Sequence, residues 1–463
     1  MSETWDLVVV GAGPAGLAAA TQAAALGLSA VVVDEQPAPG GQIYRAVERA
    51  AVGPAAAALG PDYAHGSSLV AAFRASGAAY RPGLQVWQIE QSGEVLASDG
   101  ARSASFSARR TLIAVGATER PVPIPGWTLP GVMTVGAGQI LLKSSAMLPD
   151  GETWIAGAGP LPLLYLSQVI AAGGRIAGYV DTTAPGNLMA AAPHALGALR
   201  NLPYIRKGLA LRGMLRRSGI PVHRADAVEA AGDGRIERLR FRVGGSWVEQ
   251  PCDTLLLHEG VVPNVHVTMA VGCAHDWDDR QGCFRPRLDE WGRTDLPAIL
   301  VAGDCGGIEG ARAAEARGRL TALAAAADLG RITEAERDRL ARPQRRELDR
   351  HLPIRAFLDT LYRPRAAITC PADAVIACRC ESVTAGQVRE TVRIGAVGPN
   401  QAKSFIRCGM GPCQGRFCGL AVTGIIAEAT GRPPGEVGFF RIRPPLKPLT
   451  LGELAALAEE PAA

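Results

Sequence analysis

Long apolar runs are missing from this chain of 463 residues: none reaches the eighteen or so consecutive apolar positions that a membrane-spanning helix needs. Charge of one sign is missing too. The 48 Lys and Arg stand against 44 Asp and Glu, a net charge of +4 spread over the whole length, and this excludes the basic footprint of a nucleic-acid-binding protein. Local clusters such as Arg216-Arg217 and Arg342 to Arg350 read as solvated faces. Met1 to Trp5 has no basic n-region, and glycine interrupts the apolar run behind it too soon for a signal-peptide core. A cytoplasmic protein without stable membrane insertion is expected.

Cysteine, by contrast, is plentiful. The length suits two or three domains with ample core, and ten cysteines in a chain expected in the cytoplasm argue for metal or redox chemistry before disulfides. Their distribution is uneven. Cys252, Cys273, Cys283 and Cys305 are scattered and read as buried structural thiols, whereas Cys370, Cys378, Cys380, Cys408, Cys413 and Cys418 crowd one short region.

The stretch from Asp6 to Arg45 organises the rest. It opens as an apolar strand, breaks at Gly11, Gly13 and Gly16, continues as an Ala-rich helix carrying Pro14 and Ala15 in its first turn, and returns as a strand ending on Asp34. In a dinucleotide-binding unit, the first glycine makes the turn, the second lets a pyrophosphate approach bare backbone, and the third lets helix and sheet pack closely. The phosphates lie at the helix N-terminus, where N–H groups and the dipole favour anions. Asp34 is placed to accept hydrogen bonds from the adenosine ribose, with Glu35 as the alternative. A tight loop follows at Pro39-Gly40-Gly41-Gln42.

Far downstream, Ala298 to Asp304 reads AILVAGD and is followed by Gly306, Gly307 and a helix from about Ala311. This segment resembles the second flavin motif of the flavoprotein reductases with two dinucleotide-binding domains. The resemblance implies FAD as the cofactor, a ribityl contact from Asp304 after Gly303, flavin-side backbone contacts from Gly41 and Gln42, and a passage near the cofactor at Ala114, Gly116 and Ala117. It also implies an α/β fold with two Rossmann-like domains: residues 1–120 and 250–330 for FAD and 121–249 for a nicotinamide-type domain. Residues 84–90, 94–98 and 104–108 read as a small antiparallel layer of the first domain, and a separate strand starts at Thr111.

A second glycine-turn unit runs from Thr153 to Asp181, with Gly157 and Gly159 in place but Pro162 where the third glycine belongs. Proline is tolerated in a first helical turn, yet it forfeits the close approach that glycine permits, so the domain is expected to be degenerate and NAD(P) is not expected as a cofactor. The insertion of about 183–219 yields no chemistry. Asp253 to Asn264, DTLLLHEGVVPN, resembles the family's re-entry into the flavin domain; His258 in it reads first as a structural histidine and second as a catalytic group near the flavin. Residues 331–370 read as a charged helical arm.

Cys378-Arg379-Cys380 is followed by a helix with a Thr384/Gln387 capping box, then by SFIRCGMGPCQGRFCG and a second helix that Gly431 is placed to cap. So small a module needs a staple, and soft thiolates suit a 2Fe-2S cluster or zinc. Residues 371–440 resemble the bacterioferritin-associated ferredoxin-like domain, in which a C-x-C precedes a second cysteine pair after thirty-odd residues. That resemblance implies Cys378, Cys380, Cys413 and Cys418 as ligands, with Cys408 as the alternative. A proline-rich tail, 441–463, is expected either to dock on a partner or to be solvated.

The segments GGQIYR, HEGVVPN, CRCESVT and CGMGPCQGRFCG together resemble the flavin and iron–sulfur subunit of heteromeric amino-acid dehydrogenases, the group of hydrogen cyanide synthase, opine oxidase and hydroxyproline dehydrogenase complexes. The resemblance implies a partner subunit of amino-acid oxidase type whose own flavin oxidises the substrate C–N bond, a further flavin at a partner interface, a small third subunit, and electron relay through FAD and cluster to a quinone or dye. The alternative is a self-contained NAD(P)H-dependent ferredoxin-type reductase. Disulfide reduction is disfavoured because Val135 to Gln139 stands where a C-x-x-C would be required.

Overall fold

The computed structural model describes residues 3–457; expectations concerning residues 1–2 and 458–463 lie outside the described residues. The first sheet is built on Glu3–Val10, whose segment Leu7 to Val10 is buried on both faces as the centre of a parallel sheet must be. Parallel neighbours are Ala30–Asp34 on one side and Ser103–Ile113 on the other, and Ala79–Pro82 extends the sheet beyond Ala30–Asp34. Ser103–Ile113 is a single continuous strand, where the sequence pattern suggests two. Its first half pairs antiparallel with Val95–Ser98 and its last three residues pair parallel with Ile299–Val301, so one strand joins the antiparallel layer to the returning chain.

The second sheet is parallel throughout, in the order Val222–Arg224, Gly178–Asp181, Thr153–Ala158, Thr254–Glu259, Val132–Thr134. Thr254–Glu259 therefore belongs to the second sheet, not to the flavin domain that the 250–330 boundary gave it. Only Val261–Pro263 leads back, pairing with Ala117–Glu119. The insertion forms four short helical pieces, of which Leu202–Arg217 is the longest.

Ala311–Asp328 packs closely on the opening helix: a Cβ on Gly318 would run into the carbonyl of Ala15. The arm is helical over Glu334–His351, with a capping box from Thr333 and Glu336. In the cysteine module the Thr384/Gln387 capping box is formed, and Gly431 ends Gly419–Thr430 with a φ of 67°. Between them lies a further helix, Pro399–Ile406, that the sequence pattern does not signal. Among the described residues no helix is long and apolar enough to cross a membrane.

Candidate functional site

The carboxyl ends of the first sheet converge on a groove floored by small residues. Gly11 has a φ of 107°, and a Cβ there would lie 2.6 Å from the carbonyl oxygen of Ala114; a Cβ on Gly16 would collide with the Gly11 carbonyl. Gly13 caps Pro14–Ala25, with Pro14 at its start, and the loop from Gly40 folds back so that a Cβ on Gly41 would come 2.8 Å from the Gly13 Cα. A Cβ on Gly303 would meet the Cβ of Ala15 at 2.8 Å. Gly11, Gly13, Ala15, Gly16, Gly41, Ala114 and Gly303 are thus brought together, leaving bare backbone and helix N–H groups of the kind a pyrophosphate requires. Gly116 lies on the exit from this floor, its carbonyl accepting from the Asn264 N–H at 3.0 Å.

The two predicted acids differ in their partners. Both oxygens of Asp34 accept backbone N–H groups, from Ala12 at 2.5 Å and Gln36 at 2.6 Å. Burial pushes its carboxyl above the usual range against these two bonds. Asp34 thereby shapes the glycine loop itself, while Glu35 points outward and pairs with Lys447. Asp304 accepts from the N–H groups of Glu309 and Gly310 at 3.0 Å each, tying the Gly303 turn to the start of Ala311–Asp328; burial raises its pKa as well.

Sequence reasoning missed Lys143. Its ammonium donates to Gln139 Oε1 at 2.8 Å and to the backbone carbonyl of Gln42 at 3.3 Å, joining Val135–Ser145 to the Gly40–Gln42 loop. Burial, with Arg45 nearby, pulls its pKa down to about 7. Nothing in the local sequence signals a buried lysine with amide partners.

The ends of the second sheet are filled. His258 is buried and its Nδ1 lies 2.5 Å from Glu119 Oε1, with the imidazole beside Gly159. Glu259, also buried, accepts from Thr182 Oγ1 at 2.8 Å and from Arg365 Nη2 at 2.6 Å. Arg365 comes from the segment leading into the cysteine module. Asp181 holds the N–H of Thr183 at 2.9 Å. Pro162 is buried in the first turn of Pro160–Ala171, where it removes an N–H donor that Gly16 retains in the first unit.

In the cysteine module, the sulfurs of Cys378, Cys408 and Cys418 lie within 4.8 Å of one another and are buried. Hydrogen bonds from Cys408 and Cys418 hold the Cys378 thiol far below its usual range, against the cost of burial, while Cys408 and Cys418 are raised. Three sulfurs this close together are a donor set for a soft cation. Cys380, the exposed member, neighbours Cys413, whose N–H donates to its sulfur. The predicted set thus falls into two pairs, with Cys408 drawn in beside the first. The scattered thiols Cys252, Cys283 and Cys305 are buried and pushed up to about 12.

A family model described as pyridine nucleotide-disulphide oxidoreductase matches residues 5–318, and one described as sarcosine oxidase A3 domain matches residues 378–458. An opine oxidase subunit of Rhizobium meliloti (strain 1021) is 44% identical, over 98% of this chain and 99% of that one. Hydrogen cyanide synthase subunit HcnB of Pseudomonas aeruginosa is 33% identical, again over 98% and 99%. In fold, the chain is similar to L-proline dehydrogenase from P. horikoshii, with a TM-score of 0.72 at 18% identity over 98% of this chain and 80% of that one. The chain belongs to the family of these opine oxidase and hydrogen cyanide synthase subunits, flavin oxidoreductases built on the pyridine nucleotide-disulphide oxidoreductase domain.

Proposed function

We propose that this chain is the FAD- and 2Fe-2S-containing electron-transfer subunit of a heteromeric dehydrogenase that oxidises a C–N bond in an amino acid, opine or hydroxyproline. A partner of amino-acid oxidase type carries the substrate site; a further flavin at an interface completes the complex together with a small third subunit. The observation that carries the reading is the union, in one chain, of a closely packed glycine-turn dinucleotide unit, a cysteine module in which Cys378, Cys408 and Cys418 come within 4.8 Å of one another, and a second glycine-turn unit at whose sheet end Glu259 is buried against Arg365.

The residues fit the cofactors on chemical grounds. Gly11, Gly13 and Gly16 would receive the pyrophosphate, Asp304 the ribityl end, and Gln42, held through its carbonyl by Lys143, the flavin side. Cys378 with Cys418 and Cys380 with Cys413 would hold the cluster, with Cys408 as the alternative ligand. Bound FAD would supply two-electron chemistry and a cluster one-electron chemistry, and the chain's contribution would be to position and tune them rather than to move protons at its own side chains. His258, buried against Glu119, is on this reading structural.

Purified protein is expected to show a flavin spectrum, iron and sulfide, and bleaching by dithionite but not by NADH. Rapid bleaching by NADH alone would instead support the ferredoxin-type reductase, and zinc in place of iron would remove the relay. Co-purification with the partner and a dye-reduction screen of opines, glycine, prolines and hydroxyprolines identifies the substrate.

A further inference from the structure

Glu35 and Lys447 form an ion pair between positions 412 residues apart. The tail that supplies the lysine is neither solvated nor projecting. Ile442 and Leu446 are buried, and the Leu446 N–H donates to the Trp87 carbonyl at 2.8 Å on the first domain. The cysteine module grips the same stretch from its other side: Gln414 donates to the Pro445 carbonyl at 2.7 Å and Arg416 to the Leu446 carbonyl at 3.2 Å. Further on, Ser98 donates to Glu453, which also caps the last described helix with Thr450. The tail is a strap from the cysteine module to the edge of the dinucleotide groove.

Glu35 follows directly on the end of Ala30–Asp34, where a dinucleotide's adenosine ribose comes to lie. Each oxygen of Asp34 already accepts one backbone N–H, from Ala12 and from Gln36, and keeps a second acceptor site. Facing outward beside it are Glu35, its side chain 46% exposed and accepting from Gln36 Nε2 at 3.3 Å, and Lys447, 29% exposed. A solvent-facing ion pair adds little to stability by itself. An ammonium has three donors, and one on Glu35 leaves two for a ligand. Carboxylate and ammonium side by side offer an acceptor and a donor to a vicinal diol, and their mutual neutralisation gives no preference for a phosphorylated ribose.

We propose that Lys447 is a cofactor-positioning residue which, with Glu35, holds the adenosine ribose hydroxyls of FAD. The assignment rests on the FAD reading given above. It also makes the strap a physical tie between the cofactor groove and the cysteine module.

Full-length apoprotein titrated with FAD and with FMN tests this, because FMN lacks the adenosine. Lys447→Ala is expected to weaken FAD binding about ten-fold, the loss of one hydrogen bond to a charged group, with FMN binding unchanged and Lys447→Arg restoring most of the loss. Unchanged FAD affinity in Lys447→Ala overturns the assignment, and so does equal weakening of FAD and FMN, which marks a packing role. Where apoprotein does not re-form, FAD release from holoprotein is the readout: faster in Lys447→Ala if the assignment holds, equal to wild type if it does not. A wild-type chain that takes up neither flavin removes the FAD reading itself.

Discussion

The chain holds two strand–turn–helix–strand units of the same design, and they differ most where their ends meet the rest of the molecule. Around the first, the neighbouring strand ends bring Gly11, Ala114 and Gly303, residues too small to occupy the groove. Around the second they bring His258 and Glu259, whose partners Glu119 and Arg365 arrive from distant parts of the chain. One unit keeps glycine backbone at a helix N-terminus; the other has a buried imidazole–carboxylate contact and the buried Arg365–Glu259 ion pair at its strand ends. A glycine-turn motif announces the architecture. Whether a ligand is held depends on side chains that arrive from elsewhere.

Three substitutions probe that contrast, from the strongest effect to the weakest. Arg365→Ala leaves the Glu259 carboxylate buried at 2% exposure without its cation, so unfolding in urea is expected to be easier by about 3 kcal/mol or more, with FAD content unchanged; a loss under about 1 kcal/mol would mean this pair does not hold the second unit's strand end. Gly16→Val forces atoms into the Gly11 carbonyl and should lower FAD affinity about 100-fold, equivalent to about 3 kcal/mol of overpacking. Retained flavin at normal stoichiometry would break the assignment of the first unit. The mildest change is Pro162→Gly, for which stability should move by less than about 1 kcal/mol and NADH should still fail to bleach the flavin. Bleaching by NADH in this variant would make Pro162, not the Arg365–Glu259 pair, the decisive difference.

Features written in short-range order were legible from the residues. The glycine spacings, the Thr384/Gln387 capping box and the Gly431 cap each depend on neighbours within a turn or two, and the structure forms them. The crowding of cysteines marked the module, but not which of its sulfurs come together. Cys408 was harder: its place beside Cys378 and Cys418 depends on how Pro399–Ile406, a helix without a strong sequence signal, returns the chain.

Composition and local pattern alone determined an α/β chain with two dinucleotide-type units and a thiol-stapled end, because backbone conformation at glycine, helix caps and apolar strands is governed by adjacent residues. Only the tertiary structure decided that Thr254–Glu259 joins the second sheet, that Arg365 pairs with Glu259, that Lys143 reaches Gln42 and that Lys447 returns to Glu35. Each of these joins residues far apart in the chain. Such contacts are selected by burial and charge pairing in the assembled molecule, and they leave no period or motif in the sequence from which to read them.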